Sequence, residues 1–146
     1  MNLNLSVVGD CGMRQYCEQC ASQRGVLDAC RFLGHVSAET LSDCMNACDI
    51  ACVPSRNEPF GIVVLEAWDA AKPVIATDAV HLIDDSSNGI VGYQNPESIA
   101  WCVNYSMGDL EATKKMGRNG KKLVETMYNW DRIADDTVGV YRRLDE

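Results

Sequence analysis

The residues best placed to do chemistry are two glutamates, Glu58 and Glu66, eight positions apart in the stretch EPFGIVVLEAW at residues 58–68. Nearly everything between them is apolar, and burying an ionised carboxylate among such side chains costs about several kcal/mol unless donors meet it. An ionised carboxylate accepts hydrogen bonds and donates none, so its natural small-molecule partner is a set of paired hydroxyls, as on a ribose or a hexose. Pro59 suits a first helical turn, where its missing N–H has no acceptor to serve. A helix over residues 60–71 would then turn the amides of Phe60, Gly61 and Ile62 outward at its positive end, and Gly61 would let an anion approach the backbone closely. Glu66 falls about one and a half turns further along, far enough from Glu58 to grip a different part of an elongated ligand. Two carboxylates for two polyols, with a phosphate-friendly helix tip between them, describe a nucleoside diphosphate sugar. A plainer alternative stands beside this on spacing alone: Glu66 solvated or ion-paired on a helix, and Glu58 an acid favoured at a helix start by the macrodipole.

The elements that must position these residues alternate along the chain. LNLSVV at residues 3–8 alternates apolar and polar side chains before Gly9, Asp10 and Gly12, which predicts a strand ending in a turn. Residues 13–24 have helical composition and stop at Gly25. A short strand at 30–34 follows, and Ser37 caps a helix to about residue 48 on the spacing of Leu41, Cys44, Met45 and Cys48. Strands at 49–54, 73–77 and 89–93 flank the glutamate helix, and three helices at 96–107, 110–127 and 130–144 complete the chain. Gly117 and Gly120 weaken the second of these three. Strands alternating with helices predict an α/β, Rossmann-like parallel sheet with helices on both faces, and 146 residues are enough for one such domain, residues 1–146. In an open parallel sheet ligands sit outside the carboxyl ends of the strands, which is where Glu58 falls.

Composition narrows the function classes. Hydrophobic residues at 47% and charged residues at 23% suit a globular chain rather than a disordered one. No apolar run approaches the roughly 18–20 residues that cross a bilayer, and the N-terminus lacks a signal-peptide pattern, so a cytoplasmic protein is expected. The net charge is −8, and residues 58–108 carry seven acids against one lysine, which disfavours nucleic acid as a partner. Eight cysteines include a C-x2-C pair, Cys17 and Cys20, and a run at Cys44, Cys48 and Cys52, but no second pair or histidine falls at zinc-site spacing. Core thiols are the preferred reading, and no metal is expected.

The stretch PSRNEPFGIVVLEAW resembles the paired-glutamate motif of family 4 glycosyltransferases, the retaining group with the two-domain GT-B architecture. Its flanks resemble the same family in order: VVGD at 7–10, RFLGHVSAETL at 31–41, CDIACVPS at 48–55, KPVIATD at 72–78 and YNWDRIADDTVGVYRRL at 128–144. The resemblance covers almost the whole chain and implies the C-terminal, donor-binding domain. It implies that Glu66 holds the nucleotide ribose and that Glu58, the catalytic candidate, contacts the donor-sugar hydroxyls. Backbone amides of Phe60, Gly61 and Ile62 would lie near sugar and diphosphate, with Gly34, His35 and Val36 against the base. The diphosphate would leave without a divalent metal, and no cofactor is implied beyond the nucleotide sugar itself.

The chain also departs from that pattern. Set against the family pattern, it is expected to begin one strand and one helix late, without the acceptor domain and without the Arg and Lys with which relatives neutralise the departing diphosphate. Arg56 and Lys72 are not at that family position. Ala71 replaces the usual Gly before KPV, residues 79–89 lack the paired glycines of many relatives, and Cys11 stands where Gly is common. The expectation is therefore a glycosyltransferase donor half that needs a partner acceptor domain or subunit. The alternatives are a non-catalytic nucleotide or sugar binding module of the same fold and a cysteine-based metal or redox protein.

Overall fold

The computed structural model describes residues 3–144. They divide into two compact units, with the division inside one helix, after Cys44.

The first unit is a strand–helix–strand unit. Strand β1 (Leu5–Val8) is followed by helix α1 (Arg14–Gln23), a 3-10 turn (Leu27–Ala29) and strand β2 (Cys30–Gly34), which pairs with β1 in parallel. The register aligns Leu5 with Cys30 and Val7 with Phe32, then slips so that Val8 meets Gly34. Gly9 N–H donates to Gly34 O at 2.8 Å beyond that slip. Helix α2 (Ala38–Ala47) begins after Ser37, whose Oγ accepts from Thr40 N–H at 3.2 Å, as the sequence predicts for an N-cap.

The second unit holds strands β3 (Ala51–Val53), β4 (Val74–Thr77) and β5 (Ile90–Gly92), all parallel, with β4 central. Helix α3 (Ile62–Asp69) joins β3 to β4, and α4 (Pro96–Gly108), α5 (Leu110–Thr126) and α6 (Trp130–Leu144) follow β5. Every residue of β4 is buried, and its alternation sends side chains to both faces. Val74 and Ala76 pack with Val64, Ala67 and Trp68 of α3, whereas Ile75 packs with Ile90, Cys102 of α4 and Met116 of α5. Both faces of the sheet are thus covered, which is why β4 reads as a continuous apolar run.

The glycines of α5 are places of close approach rather than breaks. A Cβ at Gly117 would overlap the backbone of Ala71 and Lys72, and one at Gly120 would overlap the Trp68 ring, so both glycines let α5 press against α3 and the turn after it. Trp68 is fully buried and donates its indole N–H to Asn88 O at 3.0 Å. Polar side chains cap the later helices. Asn95 Oδ1 accepts from Ser98 N–H, Asp109 Oδ1 from Ala112 N–H and Asn129 Oδ1 from Arg132 N–H.

The strands form a parallel pair and a parallel triplet, in keeping with the expected α/β, Rossmann-like class. Two expectations are corrected. The glutamate helix runs over Ile62–Asp69, not from residue 60 to 71. Pro59 therefore lies before the helix, in a bend, and not in its first turn. Among the described residues, no helix is long and apolar enough to cross a membrane.

Candidate functional site

Glu58 sits at the carboxyl end of β3, in the loop that leads into α3. Its carboxylate is held on both oxygens: Gly61 N–H donates to Oε1 at 3.0 Å and Ser55 Oγ donates to Oε2 at 3.1 Å. The half-buried side chain therefore has the donors that a carboxylate needs in an apolar setting. A carboxylate offers about four acceptor positions, so two donors leave room on each oxygen for a further hydroxyl.

These bonds explain the shortened helix. Gly61 is the N-cap, with φ 96° and ψ 46°, a left-handed conformation that a side chain would strain. It lies against Val80 and Leu82 of the loop after β4. The turn of backbone at Gly61 aims its amide at Glu58 and its carbonyl into the helix, where Val64 N–H donates to it at 2.9 Å. The expected outward-facing amide of Gly61 is thus already engaged. The first-turn amides that lack an intrahelical acceptor belong to Ile62 and Val63.

Helix α3 separates two chemistries around its circumference. Val64, Ala67 and Trp68 face the core, while Ile62, Glu66 and Asp69 are exposed on the opposite side. Glu66 is thus an exposed carboxylate one turn after Ile62, and it avoids any burial cost. Ile62 is 64% exposed and Phe60 49% exposed, so apolar surface adjoins the two glutamates. Phe60 meets Tyr128, between α5 and α6, edge to face with ring centroids 6.3 Å apart. The carboxyl ends of β4 and β5 add Asp78, which accepts from Gln94 Nε2 at 3.0 Å. Lys72, by contrast, precedes β4 and so lies toward the opposite end of the strands.

The structure therefore brings Glu58, Phe60, Gly61, Ile62 and Glu66 onto one loop and one helix. Gly34, His35 and Val36 belong to the first unit, where Gly34 ends β2 with φ 70° and is followed by the bend into α2. Arg14 of α1 braces that strand end: its Nη2 donates to Phe32 O at 2.9 Å while its Nε pairs with Glu18 at 2.8 Å. Sequence reasoning missed Ser55, Thr77 and Tyr128. Thr77, the last residue of β4, is buried and donates its hydroxyl to Ser55 O. No local spacing signals a contact between residues 55 and 77, or between 60 and 128, because sheet pairing and the last helices create them. Among the described residues, no group of three His, Cys, Asp or Glu side chains is placed to hold a metal ion, and no two cysteines are joined in a disulfide.

Residues 1–123 match the family model described as glycosyl transferases group 1, and the chain belongs to that family. An uncharacterised glycosyltransferase of Methanocaldococcus jannaschii is 39% identical over 145 residues, which cover 97% of this chain and 37% of that protein. Among solved structures, sucrose-phosphate synthase from Thermosynechococcus elongatus superposes with a TM-score of 0.85 at 27% identity, over 97% of this chain and 38% of that one. Anabaena HepE, solved in complex with UDP, superposes with a TM-score of 0.86 over 97% of this chain and 41% of that one; at 23% identity it bears on the fold alone. The fold is thus that of the Rossmann-like C-terminal half of GT-B glycosyltransferases. The chain spans well under half the length of these relatives.

Proposed function

We propose that this chain is the donor-binding half of a retaining, family 4 glycosyltransferase, which takes a sugar from a nucleoside diphosphate sugar. The observation that carries the reading is the pairing of Glu58, held by two donors at the carboxyl end of β3, with Glu66 on the exposed face of the helix that follows. Glu58 accepts from donor-sugar hydroxyls and is the catalytic candidate. Glu66 accepts from the ribose. The unpartnered amides at the start of α3 face the diphosphate, with Gly61 and Phe60 shaping the approach.

No metal or other cofactor takes part in this scheme. Partial neutralisation of the diphosphate falls to backbone amides and the helix dipole. The acceptor site belongs to a separate domain or subunit, because transfer needs donor and acceptor aligned in a closed, water-poor site. The setting is the cytoplasm, where nucleotide sugars are at hand, and nucleic acid is not a partner. This chain alone binds nucleotide sugar weakly and transfers nothing.

Titration calorimetry with a panel of nucleotide sugars, repeated on Glu66→Ala, tests the reading. A charge-assisted hydrogen bond contributes about 1.5–3 kcal/mol, so the substitution should weaken binding by about one to two powers of ten. An affinity left unchanged by Glu66→Ala removes Glu66 as the ribose ligand. Turnover of donor and acceptor by the isolated chain removes the incomplete-enzyme reading.

A further inference from the structure

Behind Glu58 stands a line of hydrogen bonds that begins in the sheet. Thr77 is 1% exposed, at the end of the central strand, and its Oγ1 donates to the carbonyl of Ser55. The Ser55 hydroxyl in turn donates to Glu58 Oε2 at 3.1 Å. On the other side the Gly61 amide meets Oε1, and Gly61 is itself set against Val80, whose N–H donates to Thr77 O at 3.0 Å. Thr77 therefore anchors both routes to the carboxylate, through its hydroxyl on the Ser55 side and through its carbonyl on the Gly61 side. A loop glutamate with free rotamers would lose entropy on meeting a ligand hydroxyl, and one already fixed by two donors loses less.

We propose that Thr77, acting through Ser55, is a positioning residue for Glu58, and that it sets how strongly this chain prefers a nucleotide sugar over the bare nucleoside diphosphate. The inference rests on the reading of Glu58 as the sugar-hydroxyl ligand. Loss of the Thr77 hydroxyl leaves the Ser55 carbonyl without its donor and lets the Ser55 side chain drift from Glu58. The sugar contact weakens as a result, while the ribose and diphosphate contacts, made elsewhere on α3, are kept.

The test measures Kd by calorimetry for matched pairs, UDP with UDP-glucose, GDP with GDP-mannose and ADP with ADP-glucose, on the wild-type chain. The pair that binds is repeated on Thr77→Val, which keeps the shape and removes the hydroxyl, on Ser55→Ala and on Thr77→Ser. Thr77→Val and Ser55→Ala should cut the preference for the nucleotide sugar by about three- to tenfold, less than deletion of a charge-assisted hydrogen bond, with the diphosphate Kd unchanged. Thr77→Ser should restore the preference. The Gly61 amide proton, hydrogen-bonded to the carboxylate, gives a second reading without ligand: its chemical shift should move in Thr77→Val and return in Thr77→Ser. Equal losses for both members of the pair, or an unmoved Gly61 amide together with an unchanged preference, overturn the positioning role while leaving the donor site intact. A wild-type chain that binds none of the six compounds instead overturns the donor-site reading, and this inference falls with it.

Discussion

The two units start from the same plan, parallel strands joined by a helix, and finish with different interiors. In the first, the described residues include only Ala21 and Gly34 as buried positions, and Leu5 of β1 is 52% exposed. In the second, β4 is buried throughout and carries packed side chains on both faces. The first unit is thus held largely by strand pairing and by Arg14 on Phe32 O, whereas the second is held by a close-packed core. The difference matters for the candidate site. Glu58 and Gly61 stand on a loop backed by β4 and by Val80, which is 2% exposed, while Gly34, His35 and Val36 extend from a strand pair with little core of its own. Local opening should accordingly be easier in the first unit than in the second.

The sharpest way to break this contrast is at Gly120. Placing a methyl group against the buried Trp68 ring in Gly120→Ala should destabilise the chain by about 1–3 kcal/mol or more, by overpacking. A shift of the denaturation midpoint in urea, with the slope unchanged, measures it. A midpoint equal to wild type would mean that α5 and α3 are not pressed together as described.

A smaller effect of opposite sign is expected at the end of α3. Lys72 N–H donates to Ala67 O and Ala71 N–H to Trp68 O, each at 2.8 Å, and Ala71 has φ 55°. This is a Schellman C-terminus with alanine in the left-handed position that glycine fills at least strain. Ala71→Gly should therefore stabilise the chain by up to about 1 kcal/mol, the relief of left-handed strain exceeding the entropy cost of glycine. Thermal unfolding of the two proteins under one buffer decides the sign.

The smallest global effect belongs to the first unit. Arg14→Ala should leave the melting of the second unit unchanged and should speed amide exchange in the β1–β2 pair and at Gly34, read residue by residue by NMR. Equal acceleration in β3–β5 would contradict the division of the chain into a loosely and a tightly packed part.

Much of this was legible in the sequence because local signals agreed with one another. β2 and α6 fall on their expected residues, and Ser37 caps α2 as its position ahead of the helical spacing predicts. The site was legible as residue types: Glu58 at a strand-to-helix junction and Glu66 within the helix. Its detail was not, for a physical reason. Pro59 signalled a helix start, but the left-handed Gly61 and its hydrogen bond to Glu58 move that start to Ile62. The role of Thr77 depends on two strands lying side by side, and the value of Gly120 depends on where Trp68 lies. Neither is a property of any short window. Likewise, Gly117 and Gly120 read as helix weakeners by propensity, and tertiary packing reverses that reading.

The most direct measurement is an NMR titration of the isotopically labelled chain with UDP-glucose, GDP-mannose and ADP-glucose in turn. At least one should shift the amides from Glu58 to Val63 and Glu66, in fast exchange, and should leave Lys114 to Arg118 unmoved. Shifts confined to other surfaces, or no shift with any of the three at millimolar concentration, would contradict a donor site built on Glu58 and Glu66.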